Sequence, residues 1–188
     1  MGWKEGLSTT ARRKFFMGED INLGALPGEL VERNRGTVVE LLISAVARSS
    51  MVRRLEVRAV PGKGLEGDRY SAGIGTFSST AQKPDFELTL IEQENLEAFA
   101  AQTALSFTAL DARRNVVTRG VRLNDLVGRE FCIGEVRIQG MRLCEPCNHL
   151  AKMSCSEVLQ GLVHKGGLRA QILSEGNIRV GDVIRVDM

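Results

Sequence analysis

The stretch NVVTRGVRLNDLVGREFCIGEVRIQG, residues 115–140, consists of short apolar segments separated by Gly120, Gly128 and Gly134. Short runs rich in valine and isoleucine, with glycine between them, are typical of strands joined by turns. This stretch therefore predicts several short strands, and it favours a β-rich fold over regular alternation of strands and helices.

The same kind of pattern continues in GLRAQILSEGNIRVGDVIRV, residues 167–186. The sequence SEGN and the pair Gly181-Asp182 are turn signals. Apolar and polar residues alternate on both sides of SEGN, at Leu168, Ala170, Ile172, Ile178 and Val180. Alternation with a period of two indicates half-buried strands, so this end of the chain is predicted to be a β meander.

Further strands are predicted nearer the N-terminus, in GTVVELLISAV (36–46) and RLEVRAV (54–60). The segment ELTLIEQENLEAFAAQT begins like a strand. It becomes helical from about Glu92 to Ala101, where strong helix formers dominate. One strand followed by one helix is therefore expected here.

Ser154 and Glu157 have the spacing of a capping box, which predicts a short helix over residues 155–161. Many short strands and a few short helices favour a mainly β domain of the β-rich α+β class. We expect its sheet to curl into a barrel-like structure, because closure leaves few open edges. A doubly wound sheet is the second choice.

The chain has 188 residues, of which 43% are hydrophobic, so it can build one domain with a sizeable core. Residues 1–35 are mixed in character and show no sustained apolar periodicity. They are predicted to be an N-terminal arm, followed by one domain over residues 36–188.

The 25 basic and 23 acidic side chains nearly balance, which gives no reason to expect a nucleic-acid partner. The apolar run at 38–47 is shorter than the ~20 residues that span a bilayer, so no membrane insertion is predicted. The N-terminus lacks the apolar core of a signal peptide. We expect a cytoplasmic protein whose four cysteines stay reduced.

The sequence GKGLEGDRY, residues 62–70, has its glycines in the G-x-G-x-x-G spacing. A dinucleotide site also needs a following helix, and the Gly- and Ser-rich continuation predicts none. A glycine-supported turn is the simpler interpretation. An intermediate one is an anion-binding nest of backbone N–H groups, with Lys63 and Arg69 adding charge.

The sequence ARRNVV, residues 112–117, places Arg113 and Arg114 before Asn115. A guanidinium matches phosphate geometry and an amide both donates and accepts, so the trio could bind an oxygen-rich ligand. Arginines at a strand edge are, however, more often solvated or paired with surface carboxylates.

The sequence RLCEPCNHL, residues 142–150, contains Cys144 and Cys147 with Arg142 and His149 beside them. A zinc site needs four ligands and no second C-x-x-C exists, while a redox dithiol wants a βαβ setting that this chain lacks. One nucleophilic thiolate and a pair of buried thiols remain equally good interpretations. Cys132 and Cys155 are assigned to packing, and His164 to a loop.

The motifs GLEGDRY, RRNVV, CEPCNHL and GGLRAQILSEGNIRVGDVIRV resemble, in order and rough spacing, those of the MOSC domain. This family is named after the C-terminal domain of molybdenum cofactor sulfurase, and the resemblance covers about residues 36–187. It implies a barrel-like β fold and a bound molybdenum cofactor (molybdopterin). The length is similar to that of stand-alone members, which lack the sulfurase domain that carries pyridoxal phosphate; no such domain fits in this chain.

By position in the family motif, Cys147 looks like the cysteine that carries persulfide sulfur or ligates molybdenum. Cys144 is an extra neighbour, packed inward or resolving a persulfide. The resemblance also makes Arg114 and Asn115 cofactor contacts in a pocket shared with Cys147. It places Gly67, Asp68 and Arg69 in a family motif. An electropositive setting for the thiolate is expected from Arg142, His149 and Arg169.

The leading hypothesis is a molybdenum-cofactor protein that handles sulfur or reduces a small-molecule substrate. A sulfur-donor or electron-donor protein would be its partner. The alternatives are a non-catalytic sulfur carrier for a partner enzyme and a zinc-stabilised binding module that uses Cys144, Cys147 and His149.

Overall fold

The computed structural model describes residues 35–78 and 84–186, and these form a closed β-barrel with a second small sheet and four short helices. The strands are β1 (Arg35–Ile43), β2 (Val52–Arg54), β3 (Glu56–Val60), β4 (Gly64–Leu65), β5 (Leu88–Glu92), β6 (Val116–Arg119), β7 (Glu130–Ile133), β8 (Val136–Leu143), β9 (Leu168–Ile172), β10 (Gly176–Arg179) and β11 (Val183–Arg185). The helices are α1 (Gln93–Thr103), α2 (Ala109–Ala112), α3 (Asn148–Met153) and α4 (Val158–Gly161), with 3-10 turns at Pro84–Phe86 and Leu123–Leu126.

Seven strands close the barrel in the order β11, β7, β8, β9, β5, β6, β1, and β2 adds to the far end of β1. Closure is made by the antiparallel pairing of β1 with β11, which places Arg35 opposite Arg185. The parallel pair β5–β6 is the exception among the antiparallel pairs of this sheet. The expected barrel-like β fold is confirmed, and the doubly wound alternative is not.

Two buried clusters hold the domain together. The first fills the barrel and contains inward residues from nearly every strand, with Phe131 and Ile138 fully buried. The second lies between the barrel wall and the helices, where Phe99 of α1 meets Phe107 edge-to-face at 4.7 Å. Strand β6 is buried on both faces because it separates the two clusters: Val116 belongs to the first and Val117 to the second.

The helical prediction for residues 92–101 agrees with α1, but the capping box at Ser154 and Glu157 does not form. The Ser154 hydroxyl instead donates to the carbonyl of Leu150, one turn back, where α3 ends. Helix α4 begins only at Val158. The predicted short helix therefore starts three residues later than expected.

The predicted C-terminal meander is also wrong. Strand β9 pairs with β5 and β8, β10 pairs with β3 in a separate three-stranded sheet, and β11 pairs with β1 and β7. The strands are correctly predicted, but no two of these three strands pair with each other. The predicted arm at residues 1–35 lies outside the described residues, apart from Arg35, which begins β1.

Candidate functional site

A pocket opens where β8 leads into α3, beside the ends of β5, β6 and β9. Its wall combines arginines, aromatic rings and thiols. The lining residues are Arg69, Tyr70, Thr76, Phe77, Phe86, Thr89, Arg113, Arg114, Asn115, Cys144, Glu145, Cys147, His149, Leu150 and Arg169. Six of the nine residues that the sequence assigned to a site, including Cys147, therefore line one pocket.

The two cysteines of the C-x-x-C sequence differ in exposure. Cys144 is 2% exposed, and its backbone N–H donates to the carbonyl of Gly167 at 2.7 Å, which extends the β8–β9 pairing by one residue. The chain leaves the sheet at Pro146, and Cys147 lies exposed, in extended backbone, immediately before α3. Both line the pocket, but only the Cys147 thiol is open to solvent.

Arg114 is buried, and its guanidinium is used to hold backbone. It donates to the carbonyl oxygens of Gly166 (2.8 Å), Ala112 (3.0 Å) and Cys144 (3.1 Å). Three of its five N–H groups are thus engaged with carbonyls. The side chain ties the cysteine-bearing segment to the loop before β9, and it brings an uncompensated positive charge to the pocket floor.

The Asn115 side chain is likewise committed to internal hydrogen bonds. Its Oδ1 accepts from the hydroxyl and the backbone N–H of Thr89, at 2.8 and 3.3 Å. Its Nδ2 donates to the Leu42 carbonyl (3.1 Å) and to Asp68 Oδ2 (3.4 Å). Asn115 therefore joins the ends of three chain segments at the pocket wall.

Gly67 and Asp68 shape the loop that carries Arg69. Gly67 has a φ of +79°, and Asp68 accepts from the backbone N–H groups of Ser44 and Tyr70, both at 3.0 Å. The backbone N–H groups of Asp68 and Arg69 donate to carbonyls, so they do not form an anion nest. Gly67 and Asp68 do not line the pocket, whereas Arg69 does.

Arg113 also lines the pocket. The sequence placed it in a possible ligand-binding trio, but the family motif was matched only to Arg114 and Asn115. It occupies the left-handed region, with a φ of +58°, at the end of α2, and its guanidinium donates to the Ser49 carbonyl at 2.9 Å. Burial lowers the pKa of its guanidinium, and the nearby charge of Arg69 lowers it further. Among the described residues the Arg113 guanidinium has this one hydrogen-bond acceptor, whereas that of Arg114 has three. The left-handed backbone that separates the two side chains is visible only in the structure.

Arg169 and Arg142 lie on adjacent strands but play different parts. Arg169, on β9, lines the pocket with its guanidinium 4.7 Å from the centre of the Phe86 ring. Arg142, on β8, forms an exposed ion pair with Asp85 at 2.6 Å and lies outside the pocket lining. Its charge is therefore largely compensated before any ligand arrives.

Aromatic rings form one side of the pocket. Tyr70 and Phe86 stack with 6.0 Å between ring centres and an interplanar angle of 7°, and Phe77 continues the stack at 6.5 Å. Arg69 lies over the Tyr70 ring at 4.9 Å. Flat apolar faces beside guanidinium groups suit a ligand that is planar at one end and anionic at the other.

His149 lies in the first turn of α3 and meets the edge of Phe77, with 5.6 Å between ring centres. Burial lowers its pKa, and the positive charges of Arg113, Arg48, Arg69 and Lys152 lower it further. The charged form of the ring is therefore disfavoured, and the arginines are the fixed positive charges on the pocket lining.

The described residues contain no group of three or more His, Cys, Asp and Glu side chains arranged to hold a metal ion. The zinc module built on Cys144, Cys147 and His149 therefore has no ligand set in this part of the chain. All four cysteines, including Cys132 and Cys155, are free thiols. Among the helices in the described ranges, none has the length and apolar character to cross a membrane.

Comparisons with known proteins agree on one architecture. The family model for the MOSC domain matches residues 78–185. Among solved structures, the YuaD protein from Bacillus subtilis superimposes with a TM-score of 0.67 at 15% identity, covering 80% of this chain and 94% of that one.

Two structures of YiiM give the same result. YiiM from Geobacillus stearothermophilus has a TM-score of 0.60 at 15% identity, covering 81% of this chain and 75% of its own. YiiM from Escherichia coli has a TM-score of 0.52 at 18% identity, and the match covers 81% of this chain and 68% of that one. At these identities the structural likeness supports the fold alone. No curated protein matches the sequence.

Proposed function

The chain belongs to the MOSC domain family, and from that membership we propose that it binds molybdenum cofactor, with the Cys147 sulfur as the protein's ligand to molybdenum. The observation that carries the proposal is the exposed Cys147 thiol in a pocket whose wall combines arginines with stacked aromatic rings. A simple thiol site would require neither of these features.

The residues present fit this cofactor by their chemistry. Molybdenum cofactor is a flat pterin that holds its metal through a dithiolene and ends in a phosphate. A thiolate is a suitable soft ligand for the metal, guanidinium groups match phosphate, and aromatic rings suit the pterin plane. Cys147, Arg113 and the Tyr70–Phe86 stack supply one group of each kind.

The pocket arginines divide into a binding set and a supporting one. Arg69, Arg113 and Arg169 face the pocket and would neutralise an anionic ligand. Arg114 fixes the carbonyl of Cys144, and so the start of the segment that presents Cys147. Because these groups are held before any ligand binds, little ordering cost remains for the binding step.

When bound, the cofactor supplies two-electron redox chemistry at molybdenum, which we expect to act on a small-molecule substrate with electrons from a partner protein. The protein would present the exposed Cys147 sulfur to the metal, hold the anionic group with arginines, and offer an aromatic wall. Free thiols are compatible with the cytoplasmic location that we propose.

A second candidate function is favoured by Cys144, which lines the same pocket three residues before Cys147. In this alternative Cys147 carries a persulfide for a partner enzyme and no molybdenum is bound. Cys144 would then be the thiol that attacks the inner sulfur of the Cys147 persulfide, which breaks the persulfide S–S bond, forms a Cys144–Cys147 disulfide and releases the outer sulfur as hydrosulfide. The aromatic wall has no role in this scheme, which is why cofactor binding is the first choice.

Elemental and pterin analysis of the natively purified full chain tests the proposal. We expect molybdenum and a fluorescent pterin derivative in near-equal amounts, both lost in Cys147→Ser and kept in Cys132→Ser, whose thiol lies on β7. If cyanide releases sulfur from the protein but neither molybdenum nor pterin is found, cofactor binding is wrong and the sulfur-carrier function is supported. Protein with none of the three would contradict both.

A further inference from the structure

Glu145 is the single carboxylate among the described residues that line the pocket. It lies between Cys144 and Cys147, and its side chain is 41% exposed. The charged side chains around it on the lining are arginines, so an unrestrained carboxylate would be drawn toward them. The Glu145 carboxylate is instead hydrogen-bonded to His164.

His164 holds both carboxylate oxygens of Glu145. Its backbone N–H donates to Oε2 at 2.9 Å, and its ring Nδ1 lies 2.8 Å from Oε1. Each oxygen has a second lone pair, so Glu145 can still accept hydrogen bonds from a ligand. An exposed contact of this kind contributes little to stability, but here its hydrogen bonds fix where a carboxylate lies.

The loop that carries His164 is itself held against the cysteine-bearing segment. His164 has a φ of +57°, and its carbonyl accepts from Asn124 at 2.9 Å. A Cβ on Gly166 would lie 2.4 Å from the Cys144 carbonyl oxygen, so the two segments are in direct backbone contact. Packed backbone therefore fixes where the Glu145 and His164 side chains start, and the hydrogen bonds between them hold the partly exposed carboxylate.

We propose that Glu145, positioned by His164, is a specificity-determining residue that selects ligands carrying N–H donors as well as an anionic group. This rests on the proposed function and deepens it. A pterin has amino and ring N–H donors, whereas the phosphate of the cofactor is suited to the arginines. A ligand that is anionic throughout would be repelled by Glu145, and one without donors would leave the carboxylate unmatched.

Charged thiol reagents test this on the cofactor-free full chain. Cys147 is treated with a sulfonate-bearing and a trimethylammonium-bearing methanethiosulfonate, and labelling is mapped by peptide mass spectrometry. The ratio of the two rates cancels the thiolate population, because the same sulfur reacts in both. In Glu145→Gln we expect the anionic-to-cationic ratio to rise by about fivefold or more, the scale of one nearby unit charge. An unchanged ratio would overturn the inference.

Two variants of His164 separate positioning from charge. His164→Gly keeps the positive φ and the backbone N–H but removes the ring, and we expect its ratio to move toward that of Glu145→Gln. His164→Asn tolerates the same backbone and places an N–H near the Nδ1 position, so it should restore the wild-type ratio. A wild-type ratio in His164→Gly would refute the positioning role. Missing molybdenum and pterin would count against the proposed function alone, since this assay needs neither.

Discussion

The guanidinium of Arg114 donates to the carbonyl oxygen of Cys144 at 3.1 Å, across 30 residues of sequence. The same group reaches Gly166, so one buried side chain joins the cysteine-bearing segment to the loop beneath it. Its neighbour Arg113 turns toward the pocket instead. The two adjacent arginines thus differ, because Arg114 holds backbone carbonyls and Arg113, in our proposal, contacts the ligand.

Replacing Arg114 should therefore cost stability. Arg114→Lys keeps the charge but cannot donate to three carbonyls at fixed angles, and hydrogen bonds from a charged group contribute roughly 1.5–3 kcal/mol each. We expect the free energy of unfolding in urea to fall by about 2–4 kcal/mol. An unchanged unfolding midpoint would show that the three contacts are dispensable.

Replacing Arg113 should instead weaken ligand binding. Arg113→Ala removes one hydrogen bond, to the Ser49 carbonyl, and because this bond is exposed water can replace the donor, so the free energy of unfolding should fall by no more than about 1 kcal/mol. Molybdenum and pterin content should drop several-fold, because a guanidinium that matches the anionic group is lost. The unfolding measurement shows whether the variant is folded. Full cofactor content in folded Arg113→Ala would show that Arg113 does not bind the ligand.

The two cysteines should also separate by reactivity. Cys147 is exposed and Cys144 is 2% exposed, so iodoacetamide should label Cys147 first in the folded, cofactor-free protein. Peptide mass mapping over time measures this directly. We expect Cys147→Ser to abolish cofactor or persulfide loading and Cys144→Ser to reduce it modestly. Faster labelling of Cys144 would reverse the assignment.

Glu87 gives a prediction about pH. It is buried, burial raises the pKa of its carboxyl, and hydrogen bonds from the backbone of Ile172 and Gly62 offset part of the rise. The folded state thus binds this proton more tightly than the unfolded state. Its contribution to stability is present at low pH and is lost as pH rises from about 4.5 through the raised pKa.

The variant Glu87→Gln keeps an acceptor for the Ile172 N–H and removes the buried charge. Its free energy of unfolding relative to wild type should therefore increase as pH goes from 4 to 7, measured by urea titration at each pH. Glu66→Gln, at an exposed carboxylate, is the control for losing a surface charge. A pH-independent difference for Glu87→Gln would contradict the assigned cause.

The sequence predicted the strands well, because they depend on local patterns, whereas the shared pocket was implied by the resemblance to the family. Alternation identifies a buried strand face wherever its partner lies, and the motifs around Cys147 and Asn115 each end or begin a strand at the same end of the barrel. Which strands pair is not encoded locally. Strand β10 pairs with β3, more than 100 residues earlier, so the adjacent strands only resembled a meander.

The roles of Arg113 and Arg114 could not be separated from sequence for a similar reason. Both carry the same charge, and the choice depends on the left-handed backbone at Arg113 and on carbonyls contributed by Gly166 and Cys144. The lowered pKa of His149 could not be foreseen from sequence, because it arises from burial and from cations that distant segments contribute, among them Arg113 and Arg48.

The pairing of Arg35 with Arg185 also governs how the chain reaches its native state. The strands that close the barrel are 150 residues apart, so the last seam cannot form until nearly the whole domain has left the ribosome. Until then β1 and β7 each lack a neighbour, and their unpaired edges are exposed to other chains. Such long-range closure favours slow folding, and the nascent protein should depend on chaperones more than a helical domain of equal length would.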